Sequence, residues 1–147
     1  MLLLAAGFLL PAGCARLSEA SIDADSVVIT QGNVRSDFME IYVDADVAGL
    51  EGYSTGIYDK AFKYHAYQEK GYTIIYEVYD PDGELVEKRM QDLGKYGDGQ
   101  AFSRQELTIP HPQWWTEDNP VHYTLVLRLM IIGRTLSSFS KSFRLGN

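Results

Sequence analysis

Apolar and polar residues alternate along several short stretches of the chain, the pattern that predicts half-buried β-strands. In the stretch 38–47 every second residue from Met39 is apolar, and the same holds in the stretch 121–132 from Tyr123 onward. Other stretches of similar character are bounded by turn residues. The predicted strands are 26–30, 38–47, 72–79, 84–90, 100–109, 121–132 and 135–145.

Turn-forming residues separate these stretches. The run Asp80-Pro81-Asp82-Gly83 stands between two predicted strands and is typical of a hairpin turn. Pro110 and Pro112 cannot donate backbone hydrogen bonds, so they end the strand that reaches Ile109. With about seven strands and no convincing amphipathic helix, the chain is predicted to be all-β, an immunoglobulin-like antiparallel β-sandwich.

The start of the stretch 121–132 supports the immunoglobulin-like assignment. The spacing from Asn119 to Leu125, with Tyr123 between them, is similar to the tyrosine corner of such sandwiches. In a tyrosine corner, a Tyr at the start of a strand returns its hydroxyl to nearby backbone. We therefore predict that Tyr123 holds the preceding loop against the sandwich.

Two regions do not fit a simple sandwich. The segment 48–70 is long for a structureless loop in a compact domain, so it is either an insertion with a role or an unrecognised strand pair. The face of the stretch 121–132 that points away from the core contains Val126, Met130 and Ile132. A solvated sheet face is expected to be polar. This face is therefore predicted to pack on the segment 48–70 or on a partner.

The N-terminal residues are predicted to direct export. Leu2–Leu10 is a short apolar run of signal-peptide length, well below the ~20 residues needed to span a bilayer. The run that follows it ends in Cys14 and resembles a bacterial lipobox, in which the Cys becomes the lipid-bearing first residue of the mature protein. It departs from that pattern in having Pro11 three places before the Cys. The alternative is an ordinary secretory signal cleaved near Ala15, which would discard Cys14.

The predicted organisation is a signal peptide with a lipobox-like end at 1–14, a tether at 15–25 and the sandwich at 26–147. Both kinds of signal export the chain. The lipoprotein alternative favours the bacterial outer membrane, with membrane contact only through a lipid anchor at Cys14. Because Cys14 is the single cysteine, no intramolecular disulfide can form, and burial alone must hold the fold.

Composition narrows the classes of partner. The 147-residue chain has 46% hydrophobic residues, enough for one domain with a core. Its formal net charge of -7 argues against nucleic acid, since such binding depends on clustered Lys and Arg. The high aromatic content suits a β-rich fold and also suits sugar stacking. A carbohydrate or another envelope protein is therefore the partner to consider.

Two adjacent tryptophans between predicted strands are the main candidates for a binding site. Because adjacent residues of an extended segment point in opposite directions, one ring can pack while the other is exposed. We predict that Trp115 packs, in a structural role shared with Pro120 and Tyr123. The ligand-binding candidates are Trp114, Tyr53 and Tyr58.

No pattern in the sequence indicates a metal site, a cofactor or a catalytic nucleophile, and we predict none of them. The three histidines are far apart and lack metal-ligand spacing. Asp44 with Asp46, and Glu117 with Asp118, could imitate the paired carboxylates of a glycosidase. Without a predicted cleft, they are interpreted as solvated acids.

The run from Leu107 to Leu125 resembles a segment of glycoside hydrolase family 2 proteins, the β-galactosidase, β-mannosidase and β-glucuronidase group. Trp115 matches the Trp of that segment, and Asn119-Pro120 and Tyr123-Thr124-Leu125 are in the corresponding places. The departures from the family pattern are Trp114 in place of Leu, Thr116 in place of Ser and Glu117 in place of Pro.

Two further segments extend the resemblance, which then covers 27–146 with 48–70 the least matched part. The hairpin Tyr76–Lys88 is similar to a hairpin of the same family domain, and Ser142–Gly146 is similar to the segment that leaves it. In the family this domain is an immunoglobulin-like sandwich that joins a sugar-binding domain to a catalytic barrel. The family's catalytic acid and nucleophile are glutamates on the barrel, so the resemblance transfers no catalytic residue to this chain.

These observations favour a non-catalytic, exported module of the family 2 type, with a binding or spacer role in carbohydrate metabolism at the cell envelope. One alternative is a fragment of a family 2 glycosidase that hydrolyses O-glycosyl bonds. Another is an envelope adhesion or assembly lipoprotein that shares only the fold, since a fold does not fix a function.

Overall fold

The computed structural model describes residues 20–50, 71–94, 99–131 and 133–146. Within these residues the chain forms eight strands and one short 3-10 turn, Ala24–Ser26. The strands are β1 Ser21–Ile22, β2 Val28–Val34, β3 Phe38–Ala48, β4 Tyr72–Tyr79, β5 Leu85–Gly94, β6 Gln100–Pro110, β7 Tyr123–Ile131 and β8 Arg134–Phe143. Each of the predicted strands corresponds to one of β2 to β8, so the all-β prediction is confirmed.

The strands form two antiparallel sheets. In the first sheet, β3 pairs with β6 along one edge and with β1 and β2 along the other. In the second sheet the strand order is β5-β4-β7-β8. The side chains between the two sheets make one hydrophobic core, and the arrangement is the predicted immunoglobulin-like sandwich.

The central strands β3 and β7 show why the sequence folds this way. Each of them alternates between side chains that face the core and side chains that face away from it. The alternation in the sequence predicted the core-facing set correctly. Its members are at most 5% exposed: Met39, Ile41, Val43, Ala45, Val47, Tyr123, Leu125, Leu127, Leu129 and Ile131.

A chain of hydrogen bonds links the two sheets beside this core. Ser103 Oγ on β6 donates to Gln91 Oε1 on β5 at 2.7 Å, and Gln105 Nε2 donates to the same oxygen at 3.1 Å. Since the Ser103 proton is used in this way, the Tyr76 hydroxyl on β4 donates to Ser103 Oγ. Burial raises the pKa of Tyr76 above its ordinary value of 10.0, and the nearby Asp44 charge adds to the rise.

The first described residues belong to the sandwich. Ser21 and Ile22 pair with the end of β3, and the Ile22 amide donates to Ser137 Oγ on β8 at 3.1 Å. Ala20 and Ile22 are buried in the core. The sandwich therefore includes residues 20–25, which the sequence assigned to the tether. A strand of two residues is too short to produce a readable alternation. Residues 1–19, including Cys14, lie outside the described residues.

Candidate functional site

The loop between β6 and β7 contains both tryptophans, and together with residues 144–146 we call it the tryptophan corner. Tyr123 holds the base of this loop, because the Gln113 amide donates to its hydroxyl at 2.8 Å. The Tyr123 ring stacks on Phe143 with ring centroids 5.8 Å apart. The tyrosine-corner hydrogen bond expected from the sequence is therefore present. The pKa of Tyr123 is raised above its ordinary value, because the effect of burial exceeds the lowering effect of this hydrogen bond.

Trp115 makes two contacts with the segment that follows β8. Its amide donates to the Leu145 carbonyl at 3.0 Å, and the Arg144 guanidinium carbon lies 4.0 Å from the centroid of the Trp115 ring. The Leu145 side chain is fully buried in the core. Trp115 is half-buried, and its cation-π contact was not suggested by the sequence. Its packing role stays a prediction.

Gly146 completes this attachment. Its amide donates to Gln31 Oε1 at 3.0 Å, and Gln31 Nε2 donates to its carbonyl at 3.3 Å. Gly146 has a φ of +96°, a conformation that favours glycine, and a Cβ added there would lie 3.5 Å from Trp114 Cε3. Trp114 therefore borders Gly146, but 39% of the residue remains exposed to solvent. That exposure leaves Trp114 available as a ligand candidate.

Of the other predicted site residues, the structure describes Pro120 and leaves two tyrosines outside its described ranges. Tyr53 and Tyr58 lie outside the described residues. Pro120 is exposed in the loop, next to a turn closed by hydrogen bonds between Thr116 and Asn119. The structure therefore places Trp114, Trp115 and Pro120 in one loop, with Tyr123 at its base.

The predicted hairpin turn after β4 is present. Asp80 Oδ1 accepts hydrogen bonds from the amides of Asp82 and Glu84, both at 2.9 Å. This carboxylate therefore stabilises the turn in the way that Asp commonly does. No group of three or more His, Cys, Asp or Glu side chains suited to a metal occurs among the described residues.

An ion-pair cluster around the buried Glu77 lies on the outer face of the second sheet, and sequence reasoning missed it. Glu77 on β4 is only 5% exposed, and its Oε2 lies 3.0 Å from Arg128 Nη2 and 3.7 Å from Lys88 Nζ. The Tyr79 hydroxyl donates to Glu77 Oε1 at 3.1 Å. The available signal in the sequence was a single acid, Glu77, in the apolar strand β4 and a single base, Arg128, in the apolar strand β7. Their cross-strand positions make them neighbours.

The same face contains the apolar side chains noted in the sequence. Val126 and Met130 are half-buried, and Ile75 beside them is buried. Ile132 lies outside the described side chains. That this face packs on the segment 48–70 or on a partner stays a prediction.

The outer face of the first sheet contains a groove. It has a volume of about 410 Å³ and lies around Phe102, which is 61% exposed. Asp23, Asp46 and Gln100 are its polar lining residues, and the Asp25 amide donates to Asp23 Oδ1 at 3.1 Å. Of the two Asp residues on the outer face of β3, Asp46 therefore borders the groove. Asp44 Oδ1 lies 2.8 Å from Arg104 Nε. The two groups form an ion pair, but their angles do not meet the requirements of a hydrogen bond.

These two neighbouring acids are thus used differently and do not face each other across a cleft as the carboxylates of a glycosidase do. Glu117 and Asp118 are exposed in the loop of the tryptophan corner.

No helix in the described ranges is long and apolar enough to cross a membrane. Among the described residues, the tryptophan corner and the Phe102 groove each present an exposed aromatic side chain and are candidate binding surfaces.

The sandwich topology and the tryptophan corner define an immunoglobulin-like module, and comparison with known proteins identifies its family. Residues 39–143 match the family model of glycosyl hydrolases family 2. This match covers most of the chain, from β3 to the end of β8, so the chain belongs to glycosyl hydrolases family 2. The resemblance seen in the sequence is thereby confirmed. No curated protein matches the sequence.

Solved family 2 proteins contain a similar fold. A family 2 member from Bacteroides cellulosilyticus superposes with a TM-score of 0.68 at 19% identity, over 87% of this chain and 16% of that chain. A β-glucuronidase of family 2 gives a TM-score of 0.68 at 15% identity, over 87% of this chain and 13% of that chain. A Bacteroides uniformis β-glucuronidase gives a TM-score of 0.66 at 14% identity, over 85% of this chain and 14% of that chain. The chain spans less than a fifth of the length of each of these proteins.

Proposed function

We propose that this chain is a non-catalytic, exported module of a family 2 protein and acts as a spacer in carbohydrate metabolism at the cell envelope. The attachment of residues 144–146 to Trp115 in the loop before β7 and to Gln31 on β2 is the observation that carries the spacer role. A spacer must hold its neighbours in a fixed orientation, and a rigid exit from the sandwich provides this. The envelope location depends on the predicted signal and on lipidation of Cys14.

Three independent contacts support the rigid exit. The Trp115 amide fixes the backbone of Leu145, the Arg144 guanidinium stacks on the Trp115 ring, and Gln31 pairs with both backbone groups of Gly146. They join β2, the loop before β7 and the end of β8. Residues 144–146 are therefore attached to two other parts of the fold, the loop before β7 and β2.

The proposal is tested by loosening this exit. In the full chain, Arg144→Ala combined with Gln31→Ala is expected to increase amide hydrogen exchange at Trp115 and Gly146 while the core strands stay protected. Removal of the exposed cation-π contact is expected to cost about 0.5–1 kcal/mol. Lys141→Ala, an exposed change on β8, is the matched control. Unchanged exchange in the double variant would show that these contacts do not fix the exit.

A binding role is the second candidate, because Trp114 keeps an exposed surface. A glycan array with the full chain separates the two roles. Under the spacer role no glycan binds, and Trp114→Ala changes nothing. Glycan binding that Trp114→Ala abolishes would favour the sugar-binding module instead.

Hydrolysis of O-glycosyl bonds belongs, in this proposal, to other parts of a family 2 protein. We expect the chain alone to leave nitrophenyl β-galactoside and β-glucuronide intact. Release of nitrophenol by the purified chain would contradict the non-catalytic assignment. An envelope adhesion or assembly role remains the third alternative, and the glycan array also separates it from a sugar-binding module.

A further inference from the structure

The outer face of the first sheet repeats one combination of groups. Arg104 on β6 is the cross-strand partner of Asp44 on β3, and Phe102 is the partner of Asp46 one pleat further along. Residues two apart on a strand share a face, so these four side chains lie on the same surface. Each of the two positions thus combines a carboxylate with an aromatic ring nearby.

The first position contains a cation of the chain itself. The Arg104 Nε lies 2.8 Å from Asp44 Oδ1, and its guanidinium carbon lies 5.9 Å from the centroid of the Tyr42 ring. Tyr42 lies against Gly32, where an added Cβ would come within 2.7 Å of Tyr42 Cε2. A guanidinium is therefore held between a carboxylate and an aromatic face, which attract it by charge and by the ring quadrupole.

The second position is the groove around Phe102. Its described lining has a formal charge of -2 from Asp23 and Asp46, and Phe102 is 61% exposed beside them. The volume of about 410 Å³ falls within the usual range of small-ligand sites. Ala48 and Ala101 add only small side chains to the lining.

We propose that this groove binds a guanidinium or ammonium group from outside the chain, of the kind that an Arg or Lys side chain of a peptide presents. The two carboxylates attract a cation and repel an anion, and the Phe102 ring favours a cation over its face. The net charge of -7 adds a long-range attraction for basic ligands. Arg104 shows that the same combination holds a guanidinium at the neighbouring position.

Titration of the full, isotope-labelled chain with N-acetyl-L-arginine methylamide tests the proposal by NMR. We expect saturable amide shifts at 46–48 and 100–102, the residues of the groove on β3 and β6. The matched citrulline derivative has nearly the same shape without the charge, and we expect it to cause little shift. The corresponding lysine derivative tests whether a compact ammonium is also accepted, and binding by either cation supports the proposal.

Two variants remove the two attractions separately. Phe102→Ala and Asp46→Asn are each expected to weaken binding about two- to fivefold, the effect of one exposed cation-π contact or ion pair. Met90→Ala removes an exposed apolar side chain from the other sheet, and Glu106→Gln removes an exposed acid elsewhere on β6. Both control variants are expected to bind like the unmodified chain.

Three results would overturn the proposal. The first is equal binding of the arginine and citrulline derivatives, which would show that charge is not recognised. The second is shifts confined to residues outside the groove. The third is unchanged affinity in both Phe102→Ala and Asp46→Asn, with their folding verified by thermal unfolding.

Discussion

The tryptophan corner and the Phe102 groove both place an aromatic ring beside charged groups, but they use the ring differently. In the corner, the ring of Trp115 receives Arg144 of the same chain, and Tyr123 binds the backbone of Gln113. In the groove, Phe102 is largely exposed beside two acids. Aromatic rings whose contacts come from within the chain stabilise the fold, whereas an exposed ring beside acids offers its contacts to another molecule.

The largest difference between the two regions is expected from Tyr123. Replacing it by Ala removes a fully buried ring and is expected to lower the free energy of unfolding by about 3–5 kcal/mol. Tyr123→Phe keeps the ring but leaves the Gln113 amide without its acceptor, at a cost of about 1–3 kcal/mol. Urea unfolding of the full chain measures both. A Tyr123→Phe variant as stable as the unmodified chain would show that the hydroxyl is not needed to hold the corner.

Alkaline pH provides a second test of interior aromatic groups. The pKa values of Tyr76 and Tyr123 are raised above the ordinary 10.0, chiefly by burial. In the unfolded chain these hydroxyls ionise near pH 10.0, whereas in the folded chain they stay protonated to higher pH. The stability that they contribute is therefore complete below pH 10.0 and is lost as the pH rises from 10.0 through the folded-state pKa values.

Urea unfolding at a series of pH values checks this expectation. The Tyr76→Phe variant lacks one of the two groups, so its stability is expected to fall less steeply on the alkaline side. At neutral pH the same variant is expected to be less stable, because Tyr76 no longer donates to Ser103. An equally steep alkaline loss in the variant would show that Tyr76 is not one of the groups responsible.

The smallest effect on folding is expected in the groove. Phe102→Ala removes an exposed ring and is expected to change the free energy of unfolding by no more than about 0.5 kcal/mol. Thermal unfolding of this variant beside Tyr123→Phe compares the two regions directly. A loss in Phe102→Ala as large as that in Tyr123→Phe would mean that the Phe102 ring serves the fold rather than a ligand.

The sequence predicted the strands well because their signals are local. The alternation in β3 and β7 identified which residues face the core, and the Asp80 turn was recognised from its composition. The tyrosine-corner hydrogen bond was also predictable, since Tyr123 and Gln113 are separated by one loop. Strand β1 was missed, because two residues that pair with the end of β3 are too few to show an alternation of their own.

The candidate site was predicted only in part. Both tryptophans were singled out by their adjacency, and the exposure of Trp114 agrees with the alternate directions of neighbouring residues. The partners of Trp115 were not predicted, because Arg144 and Leu145 are brought to it by the pairing of β7 with β8. The groove escaped detection for a similar reason, since Asp46 and Phe102 meet only through the register of β3 and β6.

The sequence by itself determined the class of fold, the core-facing residues and the family resemblance, because alternation, turn chemistry and a short motif are all readable along one strand or loop. The tertiary structure decided which charged groups meet: Glu77 with Arg128, Asp44 with Arg104, and Arg144 with the Trp115 ring. The first two contacts depend on the register between strands, and the third depends on the pairing of β7 with β8, which brings the end of β8 to the loop before β7. A shift of one residue in register would turn each side chain to the opposite face.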